Sequence, residues 1–226
     1  MTRRLLSTLS LLFVLLLPVS GWAGVLATDN FTRANNADLG TAWDENTGES
    51  EPGGFDIAGN TALPSNGGSD SSETNNSVTW PNDQYSQVTL TNPTADGAGS
   101  GSGPTCRAAT GATKTYYRVV GNASGYDFGR KVAGTYTSLN SGTGTTFAAG
   151  NTLYLEVKTN GANADWILKK NGTQFASGTD TSPIASGRAG IAHSSTSTTA
   201  DLSAWEGGDF AGGGSEITQF YKRRIK

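Results

Sequence analysis

Asn151-Thr-Leu-Tyr-Leu-Glu-Val-Lys158 opens the stretch that decides the fold, and three runs of the same kind follow it: Asp165-Trp-Ile-Leu-Lys-Lys-Asn-Gly-Thr-Gln-Phe-Ala-Ser177, Ser186-Gly-Arg-Ala-Gly-Ile-Ala-His193 and Ala200-Asp-Leu-Ser-Ala-Trp-Glu206. Leu153, Leu155 and Val157 alternate with Tyr154, Glu156 and Lys158. Successive side chains of an extended strand point to opposite faces, so this alternation gives one apolar face and one wet face. Asn171-Gly172 lies between two strand-like runs. It predicts a two-residue type I′ hairpin, a turn that needs positive φ at both central residues. The pattern speaks to fold, and it contains no visible catalytic set.

Outward from this stretch, turn clusters recur about every 8–15 residues, the spacing of a sandwich or barrel. Further candidate strands are Phe55–Ile57, Ser77–Trp80, Gln84–Thr91, Thr105–Ala109, Thr115–Val120, Tyr126–Val132 and Thr135–Leu139. The 31 glycines, many Ser, Thr and Asn and few charges suit an all-β domain rich in tight turns. After the N-terminal segment no stretch sustains a helical period. Asp96-Gly-Ala-Gly-Ser-Gly-Ser-Gly103 lacks the Lys and the following helix of a phosphate-binding loop, so it reads as a plain loop.

The first 23 residues read as a secretory signal. Arg3 and Arg4 give a basic start, Leu5 to Leu17 an apolar run, Pro18 a break, and Gly21-Trp-Ala23 a cleavage site. The apolar run is short for a membrane span, which disfavours a retained anchor, and no Cys follows it to carry a lipid. The expected localisation is secreted, extracellular or periplasmic, with no membrane span in the mature chain. Residues 27–210 form the expected single domain. Residues 211–226 are a Gly-rich linker, Ala211-Gly-Gly-Gly-Ser215, and a short basic tail, read as disordered or as a surface-binding peptide.

From Thr28 to Phe210 ten basic side chains face eighteen acidic ones, a formal −8. Such a body repels phosphate backbones, so nucleic acid is not an expected partner. Cys106 is the sole cysteine. No disulfide is available within the chain, the core must hold by burial, and Cys106 reads as a buried, inert thiol.

Asp29-Asn-Phe-Thr-Arg-Ala-Asn-Asn-Ala-Asp-Leu-Gly-Thr-Ala-Trp43 resembles the first strand and loop of concanavalin A-like, laminin-G-like jelly-roll domains of bacterial secreted proteins. Arg107-Ala-Ala and Tyr116-Tyr-Arg-Val119 resemble two central strands of that family. Leu153–Val157, Asn171-Gly172 and Ser186–Ile191 resemble late ones, and Trp205-Glu206 the closing strand. The resemblance implies an all-β, two-sheet antiparallel jelly-roll β-sandwich with one concave sheet. Its relatives include lectins, carbohydrate-binding modules, adhesion domains and glucanases.

The glucanase relatives carry a Glu-x-Asp-x-x-Glu run, and no Glu here begins one. Glu49-Ser-Glu51 reads as solvated loop charge and Glu156 as a lone outward carboxylate. In Gln84–Leu90, Val88 and Leu90 fall on one parity, Tyr85 and Gln87 on the other. Arg107 opposes Cys106, and Tyr116 and Arg118 oppose Tyr117 and Val119. If the three strands are neighbours, as the resemblance implies, Tyr85, Gln87, Arg107, Tyr116 and Arg118 form one outward patch. Such rings and planar donors suit sugars, which present flat apolar faces and many hydroxyls. The plainer reading is a polar sheet face with Arg–aromatic stacking and no ligand.

Trp43, Trp80, Trp166 and Trp205 read as core. No cofactor is required. Asp29, Asn30 and Asp209 are the candidate ligands of a structural Ca²⁺, if they converge where the first and last strands pair. His193 shares its parity with Ile191 and reads as a partly buried sandwich residue. The function expected is a secreted, lectin-like, non-catalytic carbohydrate-recognition domain for a glycan or polysaccharide. The alternatives are a structural or adhesive sandwich binding a surface protein and, third, an atypical glycoside hydrolase.

Two outcomes follow from the sequence alone. Gly172→Val destabilises the domain by roughly 1 kcal/mol or more in urea titrations, because a β-branched residue resists positive φ. A thiol reagent labels Cys106 only after denaturation.

Overall fold

The computed structural model describes residues 23–45, 54–65, 71–93, 97, 99–110, 114–194 and 200–210. The stretch read as a secretory signal upstream of Ala23, the basic tail, Glu49 and Glu51 lie outside them. The described residues form fifteen strands and no helix.

Sheet I contains β1 (Ala23–Asp29), β3 (Phe55–Ala58), β4 (Thr61–Pro64), β6 (Gln84–Leu90), β11 (Thr152–Asn160), β12 (Asn163–Lys170), β13 (Thr173–Asp180) and β15 (Leu202–Phe210). Sheet II contains β2 (Trp43–Glu45), β5 (Ser72–Asn75), β7 (Gly101–Ala108), β8 (Tyr116–Asn122), β9 (Gly125–Val132), β10 (Thr135–Gly142) and β14 (Arg188–Ser194). The order is β13-β12-β11-β6-β15-β4-β3 in sheet I, with β1 also on β15, and β10-β9-β8-β7-β14-β5-β2 in sheet II. The architecture is an all-β, antiparallel two-sheet sandwich.

The alternation works as expected. Leu153, Leu155 and Val157 of β11 and Trp166 and Leu168 of β12 face Cys106, Tyr117, Val119, Phe128 and Ile191 of sheet II in one core. Burying these side chains stabilises by about 1.5–3 kcal/mol each for the large aliphatic and aromatic ones. Asn171 (φ 49°) and Gly172 (φ 76°) make the predicted turn, and Asn171 Oδ1 accepts the Thr152 N–H at 2.8 Å. Ala133 (φ 47°) and Gly134 (φ 84°) turn β9 into β10 with no comparable signal in the sequence.

Trp43, Trp166 and Trp205 are core residues as expected, whereas Trp80 is partly buried against that core. Trp205 meets Trp43 edge-on at 4.8 Å and Trp80 at 5.9 Å, and Trp166 lies 4.6 Å from Phe128. Ser77–Trp80 is not a strand; the strand precedes it at β5, whose residues Ser-Glu-Thr-Asn carry no apolar signal yet are all buried. Cys106 is free and fully buried, and burial pushes its thiol up. His193 is fully rather than partly buried. Ser102 Oγ donates to the Ala200 carbonyl at 2.5 Å and sits 3.0 Å from His193 Nδ1. Because its O–H is donated to that carbonyl, Ser102 is an acceptor for the ring rather than a nucleophile activated by it.

Arg107 departs most from the simple pattern. The register of β7 against β14 shifts between Thr105↔Gly190 and Ala108↔Arg188, and Arg107 has φ 51°. This bulge takes the side chain off the outer face. It is 1% exposed, and it donates to Asn82 O at 2.8 Å, Ile184 O at 2.7 Å and Thr159 Oγ1 at 2.9 Å. Buried Gln84 accepts the Arg107 N–H at 3.0 Å and donates to Pro81 O at 2.6 Å and Gly187 O at 3.0 Å. Gly187 is obligatory at this approach, since a Cβ would lie 2.3 Å from the Arg107 carbonyl carbon.

Arg107→Lys therefore destabilises by about 2 kcal/mol or more, measured by urea unfolding, because one ammonium does not replace a planar fork and leaves buried carbonyls unsatisfied. Glu73 gives a pH signature. It is 1% exposed, its Oε1 accepts the Phe55 N–H at 2.5 Å, and Glu45 is its cross-strand partner. Burial pushes the carboxyl from 4.5 up to about 8; the Phe55 N–H opposes this, and Glu45, Asp38 and Asp56 reinforce it. The folded state holds a proton that the unfolded chain releases, so this contribution is full below about 4.5 and is lost as pH rises through about 8. The melting temperature falls from pH 5 to pH 9, and Glu73→Gln flattens that fall.

Candidate functional site

In β8, Tyr117 and Val119 point into the core, so Tyr116 and Arg118 point to the outer face of sheet II. Register carries that face across the neighbouring strands. Arg118 partners Gly129 and Val120 partners Asp127 in β9, while Ser138 partners Gly129 and Tyr136 partners Lys131 in β10. The Arg118 guanidinium lies 4.4 Å from the centre of the Tyr136 ring. The Tyr136 hydroxyl donates to Asp127 Oδ2, and Ser138 Oγ donates to Asp127 Oδ1 at 2.5 Å.

Gly129 makes the arrangement possible. A Cβ there would lie 2.6 Å from Tyr136 Oη, so only glycine lets the tyrosine cross over β9 to the carboxylate. Burial raises the Tyr136 hydroxyl above its ordinary value despite the opposing pull of Arg118, which keeps it a proton donor. A cavity of about 430 Å³ lies on sheet I and one of about 400 Å³ lies here. The second is lined by Arg118, Tyr126, Asp127, Tyr136, Ser141 and Thr143, with Gly99 and Gly142. It offers a planar cation, a fixed carboxylate, an aromatic edge and hydroxyls.

The five residues expected to form one patch do not. Tyr85 and Gln87 stand on β6 in sheet I, whereas Arg107, Tyr116 and Arg118 belong to sheet II. Parity alone does not tell which strands are neighbours, and here the chain changes sheet between β6 and β7. Tyr85 has the outward parity but is 3% exposed. Its ring stacks on Tyr154 at 5.3 Å and tilts against Phe210 at 6.0 Å, and its hydroxyl donates to Glu206 at 3.3 Å. No sugar reaches that ring face. Arg107 is turned inward by its bulge. Tyr116 keeps the outward parity beside Arg118 but is fully buried. Of the five, Arg118 lines the sheet II cavity and Gln87 the sheet I cavity.

The expected calcium ligands do not converge. Asp29 is occupied by Arg33 at 2.7 Å, the Phe31 N–H at 2.8 Å and Trp43 Nε1 at 2.9 Å. Asn30 Oδ1 accepts the Thr32 N–H at 3.0 Å. Asp209 partners Gly24, four residues along β15 from Trp205, the partner of Asp29, which is about 13 Å away. Among the described residues no three His, Cys, Asp or Glu side chains are placed to hold a metal ion. Asp127, Tyr136 and Ser138 went unread in the sequence. Extending the parity of Tyr116 and Arg118 over the Ala133-Gly134 turn is the signal that finds them.

No family model matches this chain, and no curated protein matches it. Among solved structures it is similar to the carbohydrate-binding module CBM66 from Bacillus subtilis, with 15% identity over 74% of this chain and 94% of that one and a TM-score of 0.49. It is similar to the VIP36 exoplasmic/lumenal domain in its Ca²⁺/Man3GlcNAc-bound form, with 8% identity over 79% and 89% of the two chains and a TM-score of 0.49. Sheep galectin-11 in complex with glycerol gives 10% identity, 57% and 92% coverage and a TM-score of 0.42. These are likenesses of architecture, and what each neighbour binds is a property of that neighbour.

Proposed function

We propose that this chain is a secreted, non-catalytic carbohydrate-recognition domain that holds saccharide in the sheet II cavity. One observation carries the reading. Arg118, Tyr136 and Asp127 form a pre-assembled cluster in which the carboxylate is held by two hydroxyls and the guanidinium by a ring. Sugar hydroxyls both donate and accept, and a fixed carboxylate beside a planar guanidinium serves both roles. Groups already held in place lose little freedom on binding.

The non-catalytic part rests on the lining. Among the described residues it brings in one carboxylate, Asp127, whereas glycoside hydrolysis uses two, roughly 5–9.5 Å apart. Secretion rests on the Arg3–Ala23 pattern. The adhesive alternative has its own support in β1, where Val25 is 56% and Leu26 36% exposed.

The test is a glycan array with the protein, followed by titration of any hit. Asp127→Asn weakens binding about tenfold, near 1.4 kcal/mol, with little change in melting temperature. A blank array with capture of a surface protein through Val25 and Leu26 favours the adhesive alternative, and sugar release from polysaccharide restores the hydrolase.

A further inference from the structure

The outer face of sheet I carries a recess of about 430 Å³ that the sheet II cluster does not use. Its origin is topological. Strand β15 pairs with β1 as far as Asp29↔Trp205, then with β4 at Leu202↔Ala62. Between those points neither strand lies beside β15, and the outward residue there, Ala204, has only a methyl group. The gap is therefore built into the hand-over of one strand edge between two partners.

Its wall is rigid. Asp29 is fixed by Arg33, Trp43 and the Phe31 N–H, and Asn30 by the Thr32 N–H. Phe31 holds φ 52° with its side chain fully buried. A bulky aromatic residue rarely adopts this left-handed conformation, and such strain persists where the surroundings enforce it, often beside functional sites. Across the recess, Thr28, Glu206 and Gln87 are register partners in one row over three strands. Glu206 Oε1 accepts the Tyr85 hydroxyl at 3.3 Å, which orients the carboxylate. Among the described residues, the Gln87 amide and the hydroxyls of Thr28 and Thr89 make no side-chain hydrogen bond, and all three line the recess.

Those groups select a class of ligand. The amide donates and accepts, the hydroxyls do both, and the carboxylate only accepts. Neutral polyols present this mixture. Glu206 repels anions, and among the described residues no three His, Cys, Asp or Glu side chains are placed to hold a cation. We propose that the recess is a second saccharide-binding site, read by Gln87 and Glu206, on the face opposite the Arg118–Asp127 cavity. It rests on the carbohydrate reading above and adds to it. One chain with sites on opposite faces bridges two glycan chains, so weak single contacts sum to avidity on a polysaccharide surface.

The experiment is an amide ¹⁵N–¹H NMR titration of the protein with soluble hexaoses of glucose, mannose, galactose and xylose. Two separable groups of shifts are expected, one around Arg118, Asp127 and Ser141 and one around Gln87 and Glu206. Glu206→Gln and Gln87→Ala each weaken the second group about tenfold and leave the first unchanged, and Asp127→Asn does the converse. Shifts confined to the first group overturn the second site alone. Shifts confined to the second group, lost in Glu206→Gln, sustain it and overturn the sheet II site. No shift with any hexaose overturns both.

Discussion

A buried guanidinium, that of Arg107, is the constraint on which the two sheets depend. A charge taken out of water is costly unless every donor finds an acceptor. Here the acceptors are mainly neutral: two backbone carbonyls and a threonine hydroxyl, with the partly exposed Asp83 carboxylate at 3.7 Å. They come from the segment before β6, from β11 and from the connection into β14, so one residue of sheet II ties together three segments of the chain. A second tie works from the other side. Asp180, at the end of β13, accepts from Tyr117 of β8 at 2.7 Å and from Arg130 of β9. Burial alone would raise the Asp180 carboxyl, but Ser182, Arg130 and Tyr117 hold it below its ordinary value. In a chain whose sole thiol is free, these polar staples fix how the sheets lie on each other.

The bulge that serves Arg107 also explains where parity could and could not be read. Strict alternation placed Leu153, Leu155 and Val157 inward and Tyr154 and Glu156 outward, because β11 is regular throughout its pairing. It placed Cys106 and Tyr117 inward correctly, since the two are register partners. One residue later the extra residue of a bulge breaks the alternation, and Arg107 falls on the wrong side. Nothing local announces this. The signal is Gly187, distant in sequence, whose missing Cβ makes room for the bend.

The candidate site was half legible for a different reason. The outward parity of Arg118 and Gln87 is a property of each strand and is written there. Which outward residues share a face depends on strand order, which period-2 patterning does not encode. Gln87 and Arg118 therefore read as one patch while lying on two sheets. The strands the sequence missed tell the same story. β5 has four buried residues and no apolar side chain, so its burial comes from its position between β14 and β2 rather than from its composition.

Both recesses exist because small residues stand where the sheet geometry would otherwise close them. Gly129 lets Tyr136 cross β9 to Asp127, and Ala204 leaves open the gap between β1 and β4. In each, the polar groups are oriented by neighbours on the rigid sheet rather than by loops: Asp127 by Tyr136 and Ser138, Glu206 by Tyr85. The buried Tyr85 ring thus has a role other than stacking on a ligand. Packed between Tyr154 and Phe210, it carries the hydroxyl that aims Glu206. An acidic surface suits the proposed saccharide sites, because a neutral, hydroxyl-rich ligand is indifferent to net charge, while polyanions are held away from both faces.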